Sequence, residues 1–237
     1  MKTRSIFLGL LVVLLTVTPT LAVPTDITVR VRAKDAKFVG DTMGGARVTI
    51  RDAETGELLA KGVTTGTTGD TSHIMKIVNP RGKPISDEKA AKFTATIDID
   101  EPRLIEVSAY GPLANLQAAN RVSATQWVVP GKHITGGDAW MIELPGFVVD
   151  VQAPPLNTKL NGLPQDVKLE ANVILMWGCH LTPGGVWDAN KIEVAALLKK
   201  NGERVGVLAM QYAGVKSQFS GIWKVEEAGV YEAIVSM

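Results

Sequence analysis

The residues with the most chemical character in this chain are consecutive: Met176-Trp177-Gly178-Cys179-His180. Thioether, thiolate and imidazole form the soft ligand set that selects Cu(I), and without the thioether the remaining pair suits Zn²⁺. The segment closes an apolar run, Val173-Ile174-Leu175, and precedes Pro183-Gly184-Gly185, which places it at a rim where strand passes into loop. Neighbouring strand side chains point to opposite faces. Cys179 and His180 can therefore share one ion only where the backbone turns, and Gly178 permits that turn. A purely structural role is open to the same residues, with Cys179 as a small core side chain, Met176 as packing and His180 as a polar rim group. Met176, Cys179 and His180 are the candidate ligands for copper or zinc, set against an expectation of no cofactor.

The other reactive side chains are scattered. His73 and Met75 lie two apart, hence on one face of a strand, and His133 stands in a glycine-rich stretch. Three histidines without a repeated pair build no three-histidine site. Asp98 and Asp100 share a strand face with Glu101 beside them, but same-face neighbours are ~7 Å apart and no EF-hand loop surrounds them. Gly66-Thr67-Thr68-Gly69-Asp70 lacks the Lys-Ser/Thr of a phosphate cradle and reads as a mobile surface loop. Ser86-Asp87-Glu88-Lys89 has the Ser-x-x-Lys spacing of penicillin-binding enzymes without the partner motifs. Neither Gly-x-Ser-x-Gly nor His-Glu-x-x-His occurs, and the expectation is that the protein is not an enzyme. Trp127, Trp140, Trp177, Trp187 and Trp223 stand among few other aromatics. They leave glycan binding as a further reading, with Trp187 the one expected to be exposed.

The elements that must position these residues are strands. Ile27, Val29, Val31 and Ala33 alternate with Thr28, Arg30, Arg32 and Lys34; Phe93, Ala95, Ile97 and Ile99 alternate with Thr94, Thr96, Asp98 and Asp100. Period-two alternation marks strands with one dry and one wet face, as in an antiparallel sandwich. Similar runs cover 46–52, 58–64, 103–110, 121–129, 139–144, 146–153, 167–177, 191–199, 203–212, 217–225 and 229–237. Asn201-Gly202 predicts a type I′ hairpin, because both residues tolerate positive φ. Helix is expected for a turn or two at most, over 86–92 from a Ser86 cap.

Lys2 and Arg4, then the apolar stretch Ile6 to Val17, then Thr20-Leu21-Ala22 have the layout of a secretory signal peptide, residues 1–22. The apolar stretch is shorter than the roughly 20 residues a spanning helix needs, so the membrane is expected to matter only for export. Cleavage removes two of the 25 basic residues and none of the 24 acidic ones, leaving a charge of about −1. No basic run is present, and a nucleic-acid partner is not expected. Cys179 is the only cysteine, so no internal disulfide forms and burial is the ordinary fate of such a thiol. Ala153-Pro154-Pro155 and the polar stretch to Pro164 interrupt the alternation. Pro-Pro cannot sit inside a central strand, and the chain divides on this reading into residues 23–153, a Pro-rich linker 154–164, and residues 165–237.

Ile27-Thr28-Val29-Arg30-Val31, Gly45-Ala46-Arg47-Val48-Thr49-Ile50, Thr55-Gly56-Glu57-Leu58 and Ile105-Glu106-Val107-Ser108-Ala109 together resemble a carboxypeptidase regulatory-like, transthyretin-type sandwich. The insertion between Thr65 and Ala91 departs from that pattern. Phe219-Ser220-Gly221 and Ala228-Gly229-Val230-Tyr231-Glu232-Ala233 resemble the YtkA-like and related Ig-like domains of exported bacterial proteins, with Tyr231 placed as a tyrosine corner. The resemblances imply an all-β protein of two antiparallel Ig-like or transthyretin-like sandwich domains. They also imply a non-catalytic role in binding, structure or assembly at the cell envelope, in the periplasm or at the cell surface. The partner is expected to be a protein, or a second copy joined through sheet edges, or a glycan. Extracytoplasmic copper or zinc handling is the alternative.

Overall fold

The computed structural model describes residues 21–237. The expected signal peptide, residues 1–22, lies outside them except for its last two positions. The alternation becomes thirteen strands among the described residues, each within a few residues of its expected place, and the chain is all-β.

The first seven strands are β1 (Val23–Ala33), β2 (Arg47–Asp52), β3 (Leu58–Val63), β4 (Phe93–Ile99), β5 (Arg103–Gly111), β6 (Asn120–Val128) and β7 (Trp140–Leu144). They form two sheets, ordered β4-β1-β7 and β3-β2-β5-β6. The inward residues of the first sheet, among them Ile27, Val29, Val31 and Ile99, share one core with Val48, Ile50, Ile105 and Val107 of the second. Each such side chain contributes roughly 1.5–3 kcal/mol on burial. The sheets approach closely at Gly62, where a Cβ would stand 2.1 Å from the Phe93 ring. One pairing departs from the antiparallel expectation: β1 and β7 run parallel, Val29 opposite Trp140. A parallel pair needs a long crossover rather than a hairpin, and here the intervening chain builds the other sheet.

The outer face of β1 is not wet, contrary to its alternation. Thr28 and Arg30 are each 6% exposed: the insertion after β3 folds over Arg30, which reaches Ala90 O, and the Thr28 hydroxyl bonds to that of Thr94 on β4. Residues 65–67 bond to 89–92 (Thr65 N to Lys92 O, 3.0 Å; Ala91 N to Thr67 O, 2.9 Å), so this glycine-rich stretch is pinned rather than loose. Phe38, Ala90 and Ala91 form a small second core beneath it. The expected helical turn at 86–92 is absent. Asp87 accepts instead from Lys89 N and Ala90 N (2.9 and 2.7 Å), the local bonding by which Asp competes with helix. The helix of this insertion is α1 (Thr71–Met75), capped by Asp70, whose carboxylate accepts from His73 N. His73 and Met75 consequently sit on a helical turn, not on a strand face.

The remaining strands are β8 (Phe147–Ala153), β9 (Gln165–Leu175), β10 (Val194–Lys200), β11 (Glu203–Tyr212), β12 (Gln218–Val225) and β13 (Tyr231–Ser236), in the order β13-β10-β11-β12-β9-β8. β11 pairs with β10 along most of its length but with β12 only at Gln211 and Tyr212. It therefore passes from one layer to the next, and Leu208 packs where Gly221 lacks a side chain. Asn201 and Gly202 take φ of 51° and 85°, as the type I′ turn requires. Tyr231 Oη donates to Glu227 O at 2.7 Å, the bond expected of a tyrosine corner.

Sequence reading groups residues 146–153 with the first set of strands and makes 154–164 a linker. β8 instead pairs with β9, Phe147 opposite Leu175. The change of sheet falls at Pro145-Gly146, and the proline-rich stretch is a loop joining two neighbours of one sheet. Proline ends a strand without determining where the next one pairs. Both sets of strands contribute to a single hydrophobic core. Two bonds from Gln117 cross between them, Val151 N donating to Oε1 (2.6 Å) and Nε2 donating to Val151 O (3.3 Å).

Candidate functional site

The candidate ligands lie on a tight hairpin. Gly178 N donates to Leu175 O (2.7 Å) and Leu175 N to Cys179 O (3.0 Å), with Met176 and Trp177 at the tip and Gly178 at φ 93°. The backbone does turn at Gly178. After the turn, ordinary alternation resumes, with His180 bridging back to Ile174. The three side chains end in different surroundings. Met176 is fully buried in the core, Cys179 is half-buried against it, and His180 is exposed. The His180 Nδ1 lies 3.3 Å from Ser217 Oγ, which also accepts from Leu181 N at 2.9 Å. A thioether not singled out from sequence, that of Met43, lies against the turn, where a Cβ on Gly178 would be 3.1 Å from its sulfur. Among the described residues no three His, Cys, Asp or Glu side chains converge.

The loop that follows walls an open cleft of about 440 Å³, lined chiefly by Phe147, Leu175, Leu181, Val186, Trp187 and Lys191. Trp187 meets Trp177 edge to face, ring centres 5.3 Å apart. This half-buries Trp187, so Trp127, 61% exposed, is instead the exposed tryptophan. Asp188 shapes the loop: its carboxylate accepts from Gly184 N (2.8 Å) and Asn190 N (3.0 Å). Those bonds, Gly184 first, hold its pKa below the usual carboxylate range. Asp188 is thus a structural anion. The lining of the cleft mixes apolar side chains with Asp188 and Lys191.

The other candidates are apart from this cleft. His73 Nε2 lies 3.1 Å from Pro84 O, and His133 Nδ1 accepts from Asp26 N at 2.9 Å. Asp100 lies beyond the end of β4 rather than on one strand face with Asp98, and it accepts from Arg103 at 3.3 Å. Arg103 also reaches Asp52, whose carboxylate accepts from Thr55 N and Glu54 N; the Thr55 bond does most to lower its pKa. Compared with models of known families, with curated proteins and with solved structures, the chain has no match in any of the three.

Proposed function

We propose that the chain is an exported, non-catalytic β-sandwich protein that serves as a binding or structural module at the cell envelope. The supporting observation is the one hydrophobic core that runs through both sets of strands. A continuous core makes them a stiff scaffold, and such scaffolds carry function on the loops and faces they hold in place. Self-association would use β13, which ladders only with β10. The other edge of that sheet, β8, is blunted by a register shift between Val151 and Ala153 and by the Gln117 side chain on Val151. Assays of the purified chain against glycosidic, ester and peptide substrates are expected to show no turnover. Turnover abolished by one point substitution overturns the reading.

Handling of copper or zinc through Met176, Cys179 and His180 is the second reading; the Met43 thioether beside Gly178 favours it, although the three side chains themselves end in different surroundings. Stoichiometric Cu(I) or Zn²⁺ binding lost in Cys179→Ser would support it, and absence of binding would remove it.

A further inference from the structure

The outer face of the sheet β3-β2-β5-β6 carries a concentration of positive charge that the linear sequence disperses. Register places Arg47, Tyr110 and Arg121 side by side on β2, β5 and β6. Both guanidinium groups lie over the Tyr110 ring, 5.6 and 5.3 Å from its centre, as cation–π contacts require. Lys61 and Arg51 lie on the same face, on β3 and β2. Against these four cations the face sets one carboxylate, Glu106 opposite Arg51. The ion pairs among the described residues all lie elsewhere. Arg51 donates to Gly56 O and Arg121 to Ser108 Oγ, which leaves most of their N–H donors free.

Between the cations the floor is low and carries hydroxyls at Thr49 and Ser123, with the buried Ser108 between them on β5. At the other end of the face stands Trp127, opposite Leu104. Six residues of β5 separate the Trp127 row from the Tyr110 row, about 20 Å at the ordinary rise of a strand, and four strands span about 14 Å. The face is therefore a shallow platform with spaced cations, a hydroxyl floor and one stacking surface.

We propose that this platform binds an acidic polysaccharide, a chain of sugar rings carrying carboxylate or sulfate groups. The inference deepens the binding-module reading and rests on it. Arginine forks take carboxylates and sulfates in paired hydrogen bonds, the hydroxyl floor meets sugar hydroxyls, and a sugar ring can lie on Trp127. Tyr110, flanked by two guanidinium groups, serves to hold those groups apart and facing outward. A single-stranded nucleic acid fits less well. It stacks successive bases on several free aromatic faces along a continuous basic groove, whereas here one ring is free and the cations are spread.

Isothermal titration of the full chain with polygalacturonate tests the proposal, with neutral dextran and a single-stranded oligonucleotide as comparisons. Binding of polygalacturonate is expected, weakening as salt rises and weaker by at least about tenfold in the Arg47→Ala/Arg121→Ala double variant and in Trp127→Ala. Dextran is expected not to bind. Unfolding midpoints establish that the variants fold, and Lys61→Glu, on an exposed position, replaces the double variant if it does not. The proposal is overturned by absence of polygalacturonate binding, by equal binding in folded variants, or by an oligonucleotide that binds more tightly through the same residues. Failure of these titrations without substrate turnover leaves the module reading standing, whereas turnover defeats that reading itself.

Discussion

A guanidinium covered by a loop has to meet its donors' demands with whatever the loop brings, and Arg30 is met by carbonyls. Nη1 donates to Ala90 O at 2.5 Å, Nη2 lies 3.4 Å from Asp87 O, the plane lies over Phe38, and Nε is buried without a partner. Burial lowers the arginine's basicity, and the nearby charges of Asp138 and Asp87 work in the opposite direction. Asp138 in turn accepts from Ile85 N and Ser86 N, so the insertion is tied down at both a cation and an anion. Arg30→Met keeps the stem and removes the donors, leaving buried carbonyls unpaired. The expected cost is about 2–3 kcal/mol, since hydrogen bonds to charged groups are the stronger kind. Urea unfolding should show it, accompanied by new protease cleavage between residues 76 and 89. A variant with unchanged midpoint and unchanged cleavage would refute this role. The alternation of β1 could not reveal any of it, because period two marks which face turns from the sandwich core and says nothing about what later covers the opposite face.

At the level of elements, the hairpin 175–179 depends on one backbone conformation. Gly178 sits at φ 93° with Met43 packed where a side chain would begin. Gly178→Ala combines left-handed strain with crowding of a buried thioether, and an expected loss of about 1–3 kcal/mol follows. Thermal unfolding measures it, and a Gly178→Ala protein as stable as the parent would show that the turn carries no constraint. The turn was allowed for beforehand, because Gly178 permits it, and the strands and the Asn201-Gly202 hairpin were legible, since each signal is contained within a few neighbouring residues. Pairing was not legible. That β8 joins β9, that β1 meets β7 in parallel, and that Arg47 and Arg121 flank Tyr110 are matters of long-range register, which local alternation leaves open. The Met43 thioether beside Gly178 was hidden for the same reason, standing 135 residues before that glycine in sequence and adjacent only after folding.

Whether the molecule behaves as one body turns on the contacts that cross between the two sets of strands. The shared core supplies most of the apolar contact, and Gln117 adds a directional bond by pairing its side-chain amide with both backbone groups of Val151. That pairing imitates a neighbouring strand at the point where β8 slips register. A chain built this way should unfold in one cooperative step, with tryptophan fluorescence and far-ultraviolet circular dichroism giving the same midpoint. Gln117→Ala removes both bonds at the edge of a strand, and a loss of about 1–2 kcal/mol is expected. Met43→Ala removes the side chain that packs on the Gly178 turn across the same junction and costs about 2–5 kcal/mol by the cavity it leaves. Because both act on one junction, the double variant should lose coincidence of the two probes, since fluorescence follows the tryptophans of the second set more closely than dichroism, which averages all strands. Coincident probes in the double variant would show that the remaining core alone couples the halves. Separate midpoints in the parent chain would show that the core, though continuous, does not couple them at all.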